Sequence, residues 1–243
     1  MTQSRFFSSR SATRSGADTF SRGLVGYMFA AATMLTLAGL LAFFWAPQDA
    51  DQGLRQKIFY LHVPLAVVAL CGFIAGGVMA IQYLRTRDAA WDLRSYVAIH
   101  LSLILGVAAL LTGAIWAKTS WGVWWEWKEP TLVSFLIIFL LYAIYQPMRF
   151  AIEDPERQAR SAAVYAIVCG AFVPLNFMAV RLATSLVHPR VLGGTDNLPA
   201  EMRVTFYVSL VAMVLLWVAL WKFELTAKSA SMRLGKLRAS LLP

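Results

Sequence analysis

The segment VAIHLSLILGVAALLTGAIWAKTSWGVWWEW, residues 97–127, joins two different patterns. Its first part, Val97–Ala117, is a run of mostly apolar residues, and about 20 such residues are what an α-helix needs to cross the hydrocarbon core of a bilayer. Its last part is crowded with tryptophan and holds five of the nine in the chain. The first pattern predicts a transmembrane helix, and the second marks one end of that helix as unusual.

Five further stretches have the same apolar character. They are Leu24–Trp45, Ile58–Leu84, Leu132–Met148, Ala162–Leu182 and Phe206–Trp221. None shows the alternation of apolar and polar residues that marks membrane β-strands, and lipid accepts only helices or closed barrels. With 59% apolar residues, 14% charged residues and a mean hydropathy of +0.60, the composition excludes an ordinary soluble domain. The sequence predicts an all-α integral membrane protein with six transmembrane helices.

The basic residues predict the orientation of these helices. A net charge of +9 would suggest nucleic acid in a soluble chain, but fifteen of the 22 Lys and Arg fall on the side of the membrane that holds both termini. Because cytoplasmic loops carry the excess of Lys and Arg, both termini are predicted to be cytoplasmic. The expected division is a basic tail at 1–23, a six-span domain at 24–222 and a basic C-terminal tail at 223–243. The protein is expected to be embedded in the lipid bilayer and is not expected to bind nucleic acid.

The tryptophan cluster lies on or near the outer surface in this topology. Its members are Trp116, Trp121, Trp124, Trp125 and Trp127. An interfacial aromatic belt is one interpretation, although belts distribute aromatic residues over the loops of both leaflets. The other is a binding surface: Trp121, Trp124 and Trp125 are spaced i, i+3 and i+4, so a helical turn there would present a shelf of indoles. Such a shelf indicates a flat ligand.

Two of the three histidines lie on the same side as the tryptophans. His62 begins span two and His188 follows span five, whereas His100 lies near the cytoplasmic end of span three. A single interfacial histidine is usually just a hydrogen-bonded polar residue, and His100 keeps that interpretation. Two imidazoles beside an aromatic shelf, however, suit a six-coordinate iron in a macrocycle.

The predicted ligand is therefore haem b, with His62 and His188 on the iron. It is expected to be held noncovalently, because the sequence has no Cys-x-x-Cys-His motif. The haem propionates need cationic or hydrogen-bonding partners. The candidates on the outer side are Arg55, Lys57, Lys118, Lys128, Arg181 and Arg190.

The segment TGAIWAKTSWGVWWEW at 112–127 resembles the W-G-x-x-W-x-W signature of haem-handling proteins. Together with YLHVP at 60–64 and the six spans, it resembles the cytochrome c maturation protein C family, the haem exporter C type. The resemblance implies that His62 and His188 are axial ligands and that the tryptophan loop cradles the ring. The loop positions that match are Trp121, Gly122, Trp125 and Trp127, with Trp116 and Trp124 as further aromatic residues of the same cluster.

The resemblance also implies partners and a location. The family works in the bacterial inner membrane, passes haem to a periplasmic haem chaperone, and acts with the subunits of an ATP-binding cassette transporter and a small single-span partner. The expected role is to bind and present haem without making or breaking covalent bonds in it, so no enzymatic activity is expected. Two alternatives stay open: a b-type cytochrome membrane anchor for electron transfer, and a small-solute transporter suggested by Pro174 and Asn176 within span five.

The sequence departs from the family pattern at two places. The family motif continues W-x-W-D, whereas here Lys128 follows Trp127, the acid comes one residue later as Glu129, and Pro130 replaces a basic residue. If the family aspartate positions the loop or contacts the chaperone, this chain must use Glu129 or another arrangement. Around the second histidine, the usual upstream aromatic residues are replaced by residues 181–183, so the match of His188 depends on the His-Pro step.

Overall fold

The computed structural model describes residues 22–183, 187–188 and 198–241. These form six long helices: α1 at Leu24–Leu40, α2 at Phe59–Thr86, α3 at Ala89–Trp121, α4 at Pro130–Phe150, α5 at Pro155–Leu182 and α6 at Ala200–Leu241. A π-helical turn, Leu41–Trp45, extends α1, and a 3-10 turn, Leu54–Ile58, leads into α2. All six helical segments are long and apolar enough to cross a membrane, which confirms the predicted fold class.

Five of the six helices are longer than the apolar runs that predicted them, whereas α1 with its π-helical turn coincides with the predicted Leu24–Trp45. The largest difference is in α6, which contains the predicted span Phe206–Trp221 and continues through most of the predicted C-terminal tail. At 1.5 Å per residue its 42 residues extend about 63 Å, roughly twice the hydrocarbon thickness. The predicted N-terminal tail lies almost wholly outside the described residues.

Polar side chains fix where the helices begin. Asp88, Glu129 and Asp154 are the N-cap residues of α3, α4 and α5, and each accepts a hydrogen bond from a backbone N–H of the first turn. Proline follows at the first helical position of α4 and α5, where its missing N–H costs no hydrogen bond. The Glu129 cap fixes the start of α4, directly after the loop that carries the tryptophans.

Helix α2 is the centre of the bundle and contacts α3, α5 and α6. In the core, the rings of Phe73 in α2 and Tyr142 in α4 stack with centroids 3.9 Å apart, and the Tyr142 hydroxyl donates to the Phe73 carbonyl. Large apolar side chains such as Phe29, Val168 and Leu175 point outward, as expected for surfaces that face lipid. The core therefore lies along α2 and leaves room for a cavity at one end of the bundle.

The opposite end of the bundle is joined by polar contacts. Arg149 in α4 donates two hydrogen bonds, of 2.7 and 2.5 Å, to the carboxylate of Asp92 in α3. Next to this pair, Gln146 donates to Nδ1 of His100 at 2.7 Å. The interpretation of His100 as a hydrogen-bonded polar residue is thus confirmed.

Candidate ligand-binding site

A cavity lies at the tryptophan-rich end of the bundle, between α2, α3, α4 and α5. Its lining includes both predicted ligand residues, His62 from α2 and His188 from the segment after α5. Three of the five clustered tryptophans, Trp116, Trp121 and Trp125, also line it. Most of the remaining lining is apolar. Residues that are far apart in the sequence therefore share one cavity, which an interfacial aromatic belt would not require.

The ring of His62 is held by α3 in a defined tautomer. Its Nδ1 lies 3.1 Å from the carbonyl oxygen of Ala109, and because that oxygen can only accept, Nδ1 carries the proton and donates. Thr112 Oγ1, also 3.1 Å from Nδ1, directs its own proton to the carbonyl of Ala108. The proton on Nδ1 leaves Nε2 with its lone pair, which is the form in which histidine binds a metal.

Gly113 makes room for this ring. A Cβ atom at Gly113 would lie 2.7 Å from Cε1, 3.3 Å from Nδ1 and 3.5 Å from Nε2 of His62. The imidazole therefore lies directly against the backbone of α3, one turn before Trp116. Only glycine permits this close approach, which places the His62 imidazole beside an aromatic wall.

The second histidine packs among indoles. The His188 ring lies edge-on to Trp116, with ring centroids 6.2 Å apart, and to Trp121, with centroids 6.4 Å apart. Trp116 is itself fixed, because its Nε1 donates to Gln52 Oε1 at 3.1 Å. The backbone of the His188 segment is bonded to Glu129: the N–H groups of Val187 and His188 donate to Oε2 at 3.0 and 3.3 Å.

The prediction that Trp121, Trp124 and Trp125 lie on one helical turn is wrong. Helix α3 ends at Trp121 because Gly122 adopts φ +81°, a left-handed conformation that favours glycine. Beyond it the chain is not helical, and the side chains of Trp124 and Trp127 are 60% and 71% exposed. Trp124, Trp127 and Gly122 lie at the rim, outside the cavity lining, so the indoles surround the cavity from different segments and form no continuous shelf.

The basic residues on this side have different roles. Arg55 donates to the carbonyls of Thr119 and Gln52, Lys57 to the carbonyl of Ala46, and Lys118 to that of Gly122. Among the described residues, Arg181 is the only Lys or Arg in the cavity lining, and its guanidinium lies 4.9 Å from the ring centroid of Phe177. Lys128 is exposed, and Arg190 lies outside the described residues.

Two further polar groups in the lining point to a polar ligand edge. Trp125 Nε1 and Thr131 Oγ1 are buried and have no hydrogen-bond partner within the part of the chain that the structure describes. An unpaired buried donor is costly unless a ligand satisfies it. Together with the two imidazoles and the aromatic walls, these groups fit a flat, largely apolar, iron-containing ligand with an acidic edge.

Three contributors to the site were missed or only partly foreseen in the sequence. Thr112 and Gly113 belong to the tryptophan motif, but the motif by itself gives them no role, although a glycine one turn before a tryptophan is a signal for close approach. The sequence indicates Glu129 only as a substitute for the family aspartate. Its position before Pro130 is typical of a helix N-cap and could have indicated a buried carboxylate.

Comparison with known proteins gives a consistent result. The sequence model of the family described as Heme exporter protein C matches residues 8–240. The chain is similar to the Heme exporter protein C of Paracoccus denitrificans, with 31% identity over 90% of this chain and 92% of the relative. It is 35% identical to the Heme exporter protein C of Bradyrhizobium diazoefficiens over 79% of this chain and 73% of the relative. It is 26% identical to the Heme exporter protein C of Escherichia coli K12 over 77% of this chain and 76% of the relative.

Proposed function

The chain belongs to the Heme exporter protein C family, and from that premise we propose that it binds haem b between His62 and His188 and presents it to a periplasmic haem chaperone during cytochrome c maturation. As a member of the family it is a multi-pass protein of the bacterial inner membrane. The observation that supports the haem site most directly is the presence of both imidazoles in one cavity walled by indoles.

The chemistry of coordination follows from the His62 environment. Ala109 and Thr112 fix the tautomer, so the Nε2 lone pair of His62 is available to the iron. His188 supplies the second imidazole from a segment outside the helices. Haem is the cargo, and the protein's own residues bind it, orient it and limit its contact with water, with no covalent bond made or broken in the ring.

The acidic edge of haem requires hydrogen-bond donors or cations, and the cavity lining contains both. We assign a propionate to Arg181, the cation in the lining, with Trp125 Nε1 and Thr131 Oγ1 as hydrogen-bond donors. Charged hydrogen bonds of this kind fix orientation as well as adding affinity. Arg55, Lys57 and Lys118 lie outside the cavity lining and donate to backbone carbonyls.

Release of haem is compatible with the same arrangement. His62 is anchored on a helix, whereas His188 lies on a connecting segment, and such segments move more readily than the elements that they join. We propose that the chaperone docks at the rim, where Trp124 and Trp127 are exposed, and displaces His188 first. The subunits of an ATP-binding cassette transporter and a small single-span protein complete the proposed set of partners.

The two alternatives lack specific support. An electron-transfer anchor would place its ligands deep within the spans, whereas His62 lies in the first turn of α2. A solute transporter would need broken helices at mid-membrane, yet α5 continues through Pro174, and Asn176 donates to the carbonyl of Ser134 at 3.4 Å. Neither observation favours a second function.

A direct test is the absorption spectrum of the chain purified in mild detergent. We expect a six-coordinate, low-spin b-type spectrum, about one haem per chain, and extraction of the haem by acidified organic solvent. When the haem-free periplasmic chaperone of cytochrome c maturation is added, we expect haem to move from this protein to the chaperone. A protein that stays colourless after expression with ample haem and after direct addition of haem would contradict the proposal.

The role of the Trp125 indole N–H can be tested by Trp125→Phe. Phenylalanine keeps an aromatic wall but removes the donor, so we expect the coordination spectrum to persist while haem affinity falls. A hydrogen bond to a charged group contributes about 1.5–3 kcal/mol, so the loss should be about tenfold or more. Affinity is measured by competition with a soluble apo-haem protein.

The matched control is Trp127→Phe, because Trp127 belongs to the same loop but is 71% exposed. That variant should bind haem as the original chain does. Equal losses in both variants would mean that Trp125 contributes no specific hydrogen bond.

A further inference from the structure

Glu129 is an acidic side chain that is completely buried, with 0% exposure. It lies at the start of α4, where Oε1 accepts a hydrogen bond from the backbone N–H of Thr131 at 3.4 Å. Its other oxygen, Oε2, accepts from the N–H groups of Val187 and His188 at 3.0 and 3.3 Å. One carboxylate therefore joins two segments that are about sixty residues apart in the sequence.

The burial of this charge is explained by its surroundings. An isolated buried carboxylate is strongly unfavourable, but one that accepts several backbone N–H groups at a helix N-terminus is stabilised by those donors and by the helix dipole. The same bonds fix the position of their donors. Glu129 thus ties the backbone of His188 to the rigid start of α4.

From this geometry we propose that Glu129 is a positioning residue that holds His188 in place as the second ligand of the haem iron. The inference rests on the proposed function, and it adds a residue that does not itself touch the ligand. Metal-binding histidines depend on neighbouring groups that fix their orientation. Here the groups that are held in place are the backbone N–H groups of Val187 and His188.

The position of the acid in the loop is specific to this task. Lys128, directly before it, is exposed, and Glu126 uses its carboxylate to accept the N–H of Lys128 at 3.0 Å. Neither is bonded to Val187 or His188 in the described structure. The carboxylate at position 129 is therefore the one that reaches Val187 and His188. Pro130 favours the start of α4 at this point, and the helix start places the Glu129 side chain.

The principal test is Glu129→Asp in the full-length protein. Aspartate is a good N-cap residue, so α4 should still form, but its side chain is shorter by one methylene and withdraws from Val187 and His188. We expect haem to remain on His62 while the spectrum changes from low-spin to mainly five-coordinate, high-spin. Occupancy of the second axial position should fall by about tenfold or more, the usual effect of losing a group that orients a metal ligand.

Glu129→Gln provides a second variant, because an amide has one acceptor oxygen and cannot serve both the α4 and the His188 segments. The matched control is Glu126→Gln, which changes an acid of the same loop and should leave the low-spin spectrum unchanged. Free imidazole should restore the low-spin spectrum of both Glu129 variants. That rescue distinguishes a misplaced ligand from a general loss of structure.

Amide hydrogen exchange of the haem-free protein gives an independent measurement. The amides of residues 187 and 188 should be protected in the original chain and should exchange faster in Glu129→Asp. Unchanged low-spin spectra and unchanged exchange in both Glu129 variants would overturn the inference while leaving the haem site intact. Failure of the original chain to bind haem would instead refute the proposed function, and the exchange experiment would still report on the Glu129 contact.

Discussion

Replacement of His62 by alanine is expected to remove most of the haem from the purified protein. The change deletes the proposed ligand, whose tautomer is fixed by Ala109 and Thr112, and no other described histidine besides His188 lines the cavity. Loss of a group that only orients a metal ligand costs about 10- to 100-fold in affinity, so loss of the ligand itself should cost at least as much. The measurement is haem per chain together with the spin state of any haem that remains.

His100→Ala is the matched control for this prediction. His100 lies at the opposite end of the bundle and accepts a hydrogen bond from Gln146, so its removal should leave haem content unchanged. Free imidazole should partly restore haem binding to His62→Ala, because it fills the space that the side chain vacates. Full haem occupancy with a six-coordinate spectrum in His62→Ala would refute the assignment of this ligand.

The second large effect is expected from adding a single methyl group, Gly113→Ala. The new Cβ would lie 2.7 Å from Cε1 of His62, closer than non-bonded carbon atoms approach. The ring cannot move away without weakening the bonds from Nδ1 to Ala109 and Thr112. We therefore expect Nε2 of His62, the nitrogen proposed to bind the iron, to be displaced and haem affinity to fall by about tenfold or more.

The stability of haem-free Gly113→Ala depends on two opposing effects. Alanine is about 1 kcal/mol better than glycine within a helix, but displacing the packed His62 ring costs about 1–3 kcal/mol, so the haem-free variant should unfold at the original temperature or slightly below it. The control is Gly39→Ala in α1, where a Cβ would meet nothing within 4 Å and haem binding should be unaffected. Unaltered haem affinity in Gly113→Ala would show that the His62 ring does not bind haem in this position.

Much of the fold could be predicted because the membrane imposes simple rules. Apolar runs such as Ile58–Leu84 have to be helical in lipid, and the structure contains a helix at each of the six. The ends were less predictable, since helices such as α6 continue past the apolar segment. Outside the hydrocarbon region, helix length depends on local capping and packing, which hydropathy does not report.

The site was predicted in its composition more than in its arrangement. His62, His188, Trp116, Trp121 and Trp125 do line one cavity. The helical shelf was wrong because Gly122 ends α3 in the middle of the tryptophan cluster. A periodicity argument assumes a continuous helix, and one residue with a positive φ removes that assumption.

The amino-acid sequence by itself determined that this protein crosses a membrane with six helices and that five of its nine tryptophans and two of its three histidines lie toward the same end. Those properties follow from composition and spacing along the chain, because the length and apolarity of a segment determine whether it forms a helix across the bilayer. Only the tertiary structure decided that His62 lies against Gly113, that Arg181 reaches the cavity, and that Glu129 holds the His188 segment. These contacts join residues from different helices and loops, and their distances depend on how the whole bundle packs.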